Sequence, residues 1–156
     1  MSKVTVTVSS QIEAPAHIVY HILSHYEHHR NILPPKYFPG LDITAGGVGA
    51  GTRFTLHALS FGRKTQMHMA VTEPEPGAVL VEKDINTDLT TTFTVKPINP
   101  TQSHVSFATV WQPQPGWRGL IDRYTTPFFM RIVYQQEMNI LNVYAQEQTQ
   151  KQPPEA

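Results

Sequence analysis

The sequence predicts an α+β domain in which a curved, seven-stranded antiparallel sheet wraps around one long C-terminal helix, with two short helices after the first strand. Three observations carry this. Short segments alternate apolar and polar residues between turn-forming clusters, a helical pattern follows Pro15, and a second helical pattern runs from Trp117 to about Gln146.

Val4, Val6 and Val8 alternate with Thr5 and Thr7, as in a half-buried strand that ends near Ile12. Pro15 suits the first turn of a helix, and Val19, Ile22, Leu23 and Tyr26 follow at helical spacing to about His28. The segment from His29 to Pro39 carries three prolines and reads as a short helix or turn entering a loop. Gly40 to Gly51 holds five glycines and reads as a tight or bulged connection. A phosphate-cradling role is disfavoured there, because phosphate loops open a helix whereas residues 52–59 look like a strand.

Four further strands are expected near Lys64–Thr72, Ala78–Ile85, Asp88–Lys96 and Ser103–Gln112, each gap holding turn residues. Such short gaps make an antiparallel meander. In the last helix Trp117, Leu120, Ile121, Tyr124 and Phe128 share a stripe, which is read as facing inward. Pro127 should kink the helix, so that its two halves meet different surroundings. Residues 1–146 form the expected domain, and 147–156, which offer nothing apolar to bury apart from the terminal alanine, are read as a disordered tail.

Composition narrows the function. At 156 residues one core with room for a pocket is expected. Twelve basic and twelve acidic residues cancel, so no long-range field draws nucleic acid. Cysteine is absent, which removes disulfides, thiolate nucleophiles and Cys-ligated clusters. No apolar run suits a signal peptide or a membrane span, and a cytoplasmic protein is expected. No metal and no cofactor is expected, and the oligomeric state stays open.

The run Ile12-Glu13-Ala14-Pro15-Ala16-His17-Ile18-Val19-Tyr20, continuing through Leu23 to Tyr26, resembles the opening of the START and polyketide-cyclase superfamily. The glycine-rich Gly46–Thr52, the Val71–Gly77 segment and the proline-bearing last helix resemble the same layout, from Lys3 to Gln146. Tyr20 stands where that superfamily usually has Trp, and His25 where it usually has Asp. The resemblance implies the helix-grip fold, whose layout of one strand and a six-stranded meander makes the sheet seven-stranded where six strands are placed by residue, and a cavity for a lipid, polyketide, hormone or ubiquinone, with only some members being enzymes. Its Rieske-cluster branch is set aside for a chain without cysteine.

Hairpin register assigns faces independently of the resemblance. Centring the hairpins on their turns pairs Phe54 with Met69 and Leu56 with Met67. Next come Met69 with Glu82, Met67 with Asp84 and Val71 with Leu80. The remaining pairs are Asp84 with Leu89, Glu82 with Thr91, Leu80 with Phe93, Thr91 with Thr109, Phe93 with Phe107 and Leu89 with Trp111. One face is then apolar, with an island of Glu82, Asp84, Thr91 and Thr109. The two acids either sit at an open rim or orient a ligand; in the second case their mutual repulsion would raise a pKa, and Tyr124 and Arg131 would be their partners.

His17, His21 and His25 share a helix face that is read as solvated rather than zinc-binding. His29 falls where the second helix would border the cavity mouth, and His57 and His68 fall on the convex face. Three functions remain. The first is binding of a small apolar ligand by Phe54, Leu56, Met67, Met69, Leu80, Glu82, Thr91, Phe93, Phe107, Trp111, Tyr124, Phe128 and Arg131. The second is a cyclase, aromatase or dehydratase using Glu82, Asp84, His29 or Tyr124. The third is a protein-interaction domain without ligand.

Overall fold

A computed structural model describes residues 2–60 and 62–151. Strand β1 (Val4–Ile12) leads into α1 (Ala16–Ser24), α2 (Tyr26–His29) and a 3-10 turn (Arg30–Ile32). Strands β2 (Gly40–Ala45), β3 (Arg53–Ser60), β4 (Arg63–Glu75), β5 (Val79–Asp84), β6 (Thr90–Asn99) and β7 (Gln102–Trp111) follow, and α3 (Trp117–Lys151) closes the chain. All neighbours are antiparallel, in the order β1-β7-β6-β5-β4-β3-β2. This is the helix-grip architecture.

The first half of the glycine-rich stretch, expected to be a connection, is the edge strand β2. Leu41 is buried and pairs with Leu56, so one apolar side chain and the register of β3 suffice to recruit this segment to the sheet. The second half is the connection. Its Gly46, Gly47, Gly49 and Gly51 have φ between +61° and +136°, which only glycine adopts freely.

Register in the β3–β4, β5–β6 and β6–β7 hairpins follows the turn centres, with Phe54 opposite Met69, Glu82 opposite Thr91 and Phe93 opposite Phe107. The β4–β5 hairpin differs. Met69 faces Asp84 and Val71 faces Glu82, two residues from expectation. Pro76 and Gly77 take the central positions of the turn, with Gly77 at φ +88° and Ala78 N–H donating to Glu75 O, so the hairpin is centred one residue later. A shift of the centre by one residue moves every partner by two, which leaves each side chain on its expected face.

Two expectations about α3 fail. Trp117, Tyr124 and Phe128 are 68%, 73% and 70% exposed, Leu120 and Ile121 are about half exposed, and Arg131 is exposed. The first half of α3 instead turns Thr126, Phe129 and Met130 toward the sheet. A narrow apolar stripe shows that residues share a helix face, and says nothing of which way that face points. The helix also runs to Lys151, past the start of the expected tail. Its Gln and Glu residues propagate an existing helix cheaply, and Thr149 Oγ1 donates to Ala145 O. Residues 152–156 lie outside the described residues.

Glu73 joins the helices to the sheet. Its carboxylate accepts from Tyr20 Oη of α1 at 2.6 Å and from Ala50 N–H of the glycine connection at 2.7 Å. A Cβ at Gly49 would overlap that carboxyl, whereas a Cβ at Gly51 meets nothing, although both residues have positive φ. Gly49→Ala should therefore cost about 2 kcal/mol or more and Gly51→Ala about 1 kcal/mol, which urea unfolding midpoints would measure. Equal midpoints would remove Glu73 from this role.

Candidate functional site

The interval between sheet and α3 holds a half-open cavity of about 270 Å³. Phe54, Leu56, Met67, Met69 and Phe93 of the sheet line it, together with Leu33, Leu41, Met130 and Val133. Its polar groups are a minority. His29, Glu82, Thr91, Tyr134 and Glu137 are buried, Tyr37, Ser60, Thr65 and Thr126 also line the wall, and among the described residues no Lys or Arg does.

Local structure explains how His29 comes to be there. Helix α1 breaks at His25, whose backbone is extended. The glycine connection repairs the break, since Tyr26 N–H donates to Gly47 O and Gly49 N–H donates to Ser24 O. The chain then restarts as α2, which turns Tyr26 and His29 inward as a stacked pair with ring centres 4.9 Å apart. His29 Nδ1 lies 2.8 Å from Leu23 O. A carbonyl only accepts, so Nδ1 carries a proton and Nε2 faces away from the helix.

Two carboxyls flank this ring. Glu82 Oε2 accepts from Tyr26 Oη at 2.7 Å and stands 3.9 Å from His29 Nδ1. Burial raises the pKa of Glu82, while His29 and the Tyr26 hydroxyl oppose the rise. Glu137 Oε1 stands 4.0 Å from His29 Nε2, and the carboxyl makes no hydrogen bond with any described residue. Burial first, and then the Glu82 charge, push its pKa well above the ordinary carboxyl value. Nearby, the Thr91 and Thr109 hydroxyls are 2.8 Å apart, and Tyr134 Oη closes onto Thr109. Burial likewise pushes the Tyr26 and Tyr134 phenols upward.

Of the residues proposed from sequence, Phe54, Leu56, Met67, Met69, Glu82, Thr91, Phe93 and His29 line the cavity. Leu80, Phe107 and Trp111 are buried but lie outside its wall, Leu80 and Phe107 packing in the core and Trp111 donating through Nε1 to Asp122. Tyr124, Phe128 and Arg131 are exposed and do not line the cavity. The expected acidic pair separates: Asp84 Oδ1 accepts from Asn86 N–H in the β5–β6 turn, outside the cavity wall. Glu82 is coupled instead to Glu137. Glu137 was missed, although it sits among Val133, Tyr134, Met138 and Leu141, all buried on one face of α3. An acid at a core position of a helix was the available signal.

The histidine face of α1 is partly buried. His21 and His25 stack at 3.7 Å, His28 lies 5.5 Å from His21, and His28 Nδ1 is 2.6 Å from Tyr144 Oη. No group of three or more His, Cys, Asp or Glu able to hold a metal occurs among the described residues. His57 is half-buried against Asp42, and His68 is exposed.

Comparison with known proteins agrees with this geometry. Residues 3–146 match the family described as polyketide cyclase/dehydrase and lipid transport. The chain belongs to that family. Among solved structures, the KanY protein is 25% identical, with a TM-score of 0.81 over 94% of this chain and 99% of that one. A protein from Thermus thermophilus is 17% identical, with a TM-score of 0.76 over 93% and 99%. The Zhui aromatase/cyclase from a Streptomyces species is 12% identical, with a TM-score of 0.71 over 96% and 95%. The last two likenesses show the fold alone. No curated protein sequence matches the chain, and no helix among the described residues is long and apolar enough to cross a membrane.

The raised pKa of Glu137 has a defined effect on stability. A carboxyl with a higher pKa in the folded than in the unfolded state binds more protons when folded, so stability falls as pH rises from the unfolded value of 4.5 toward the folded one. Glu137→Gln removes this term. Relative to the variant, the native protein should lose up to about 1.4 kcal/mol per pH unit above that value, measured by denaturant unfolding between pH 5 and 8. Parallel profiles would show that Glu137 titrates normally.

Proposed function

We propose that this member of the family binds a small apolar molecule in the cavity between sheet and α3, with the ligand's polar end at His29, Glu82 and Glu137. One observation carries the reading: a half-open, mostly apolar space carries the buried titratable side chains His29, Glu82 and Glu137 in its wall. Ligand sites are typically built this way. About 270 Å³ is close to the lower end of such sites, roughly 300–1,000 Å³. That favours a compact ring system over a two-chain lipid. Met67, Met69 and Met130 let the wall adapt to ligand shape. An interior filled by side chains would have favoured a protein-interaction domain, and the cavity argues against that alternative.

A catalytic reading is favoured by His29 alone, because an imidazole held between two buried carboxyls can move protons on a bound substrate. Glu82 and Glu137 would then act with it, and the tyrosine involved would be Tyr26 or Tyr134 in place of the exposed Tyr124.

Native mass spectrometry of freshly purified protein, followed by solvent extraction, should reveal a small apolar molecule lost on denaturation. An environment-sensitive dye should also bind saturably, and Leu56→Trp, which fills the cavity, should weaken it by about tenfold or more. Absence of both a co-purifying molecule and Leu56-dependent dye binding would overturn the binding reading.

A further inference from the structure

His29 Nε2 and Glu137 Oε1 face each other 4.0 Å apart at the polar end of the cavity. That gap is too wide for a direct hydrogen bond, yet a single oxygen atom can lie about 2.8 Å from both. The two groups are also complementary. Leu23 O holds the proton of His29 on Nδ1, so in the neutral ring Nε2 offers a lone pair. The Glu137 carboxyl is 3% exposed, lines the cavity and makes no hydrogen bond with any described residue. A carboxyl that opens into a cavity beside an imidazole, with no hydrogen bond of its own among the described residues, is available to pair with a bound group.

We propose that this gap receives one uncharged hydroxyl of the ligand, the oxygen accepting from the Glu137 carboxyl and its proton going to His29 Nε2. The inference rests on the cavity-binding reading and adds the ligand's chemical class, an apolar ring compound bearing a phenolic or alcoholic hydroxyl. Charge around the cavity selects the same class. Glu82 and Glu137 contribute two carboxyls and no Lys or Arg opposes them, so a ligand carboxylate would bring a third acid into a buried site. An ether oxygen could accept from Glu137 but would leave Nε2 without a donor.

Four aromatic probes of similar outline decide the matter by calorimetric titration at neutral pH: naphthol, methoxynaphthalene, naphthalene and naphthoate. Naphthol should bind about tenfold or more tightly than methoxynaphthalene and naphthalene, the value of roughly one buried hydrogen bond, with naphthoate the weakest. Glu137→Leu should erase the preference for naphthol while naphthalene binding persists, and Glu137→Gln, which can still donate, should retain part of it. If Glu137→Leu fails to fold, the four-probe order in the unaltered protein still decides. Equal binding of naphthol, methoxynaphthalene and naphthalene would overturn the hydroxyl site and leave the cavity reading standing, since water alone would then bridge the gap. Tightest binding by naphthoate would also overturn it. Binding of none would overturn both readings.

Discussion

The Glu73 carboxylate is where three separate segments of the chain are held to one another. It reaches from the end of β4 to the Tyr20 hydroxyl on α1 and to the Ala50 N–H in the glycine connection. The same connection supplies the backbone groups that satisfy the break between α1 and α2. Without that break α1 would continue, and Tyr26 and His29 would follow its own turn rather than enter the interior. The placement of the imidazole thus depends on a hydrogen-bonded junction that lies outside the cavity wall. Tyr20 also explains one departure from the family's opening pattern: a phenol reaches Glu73, and the half-buried carboxylate is satisfied at distances that suit charge-assisted bonds.

The interior carries an electrostatic cost that the fold does not otherwise need. Two carboxyls and an imidazole are buried near one another, the imidazole packed on Tyr26 and Phe93, where hydrophobic side chains of similar volume would commonly be as stable or more so. Tyr26 and His29 offset part of the cost at Glu82. Nothing comparable is supplied to Glu137, whose pKa is pushed well up by burial and then by the Glu82 charge. Groups kept in this condition are concentrated at functional sites.

Sheet faces were legible from sequence because side-chain direction in a strand depends only on parity, so even the misplaced β4–β5 turn left Met69, Val71, Glu82 and Asp84 facing inward as expected. Helix faces were less legible. Periodicity grouped Trp117, Tyr124 and Phe128 correctly but did not say that the opposite side of α3 covers the sheet. Asp84 was misjudged for a different reason: its neighbour in the turn, Asn86, presents an N–H that no pattern of apolar residues announces. Glu137 was not legible because an acid is ordinarily exposed, and only its buried neighbours Val133, Tyr134, Met138 and Leu141 mark its position as interior. The strand β2 was hidden by the glycines that follow it.

Parity has a consequence for how this scaffold can vary. If the β4–β5 turn keeps its length, inserting a pair of residues beside it slides β5 by two, and every inward side chain of β5 remains inward while its partner on β4 changes. A single-residue insertion without a bulge would instead present Val81 and Lys83 to the cavity and send Glu82 to solvent. Duplications and deletions in this loop therefore fall into two classes: one slides the carboxyl along the wall in steps of about 7 Å, and the other abolishes the wall. A lineage of related chains could alter the depth at which the acid meets its guest by inserting or deleting residue pairs beside this turn, leaving the other residues of the strands as they are.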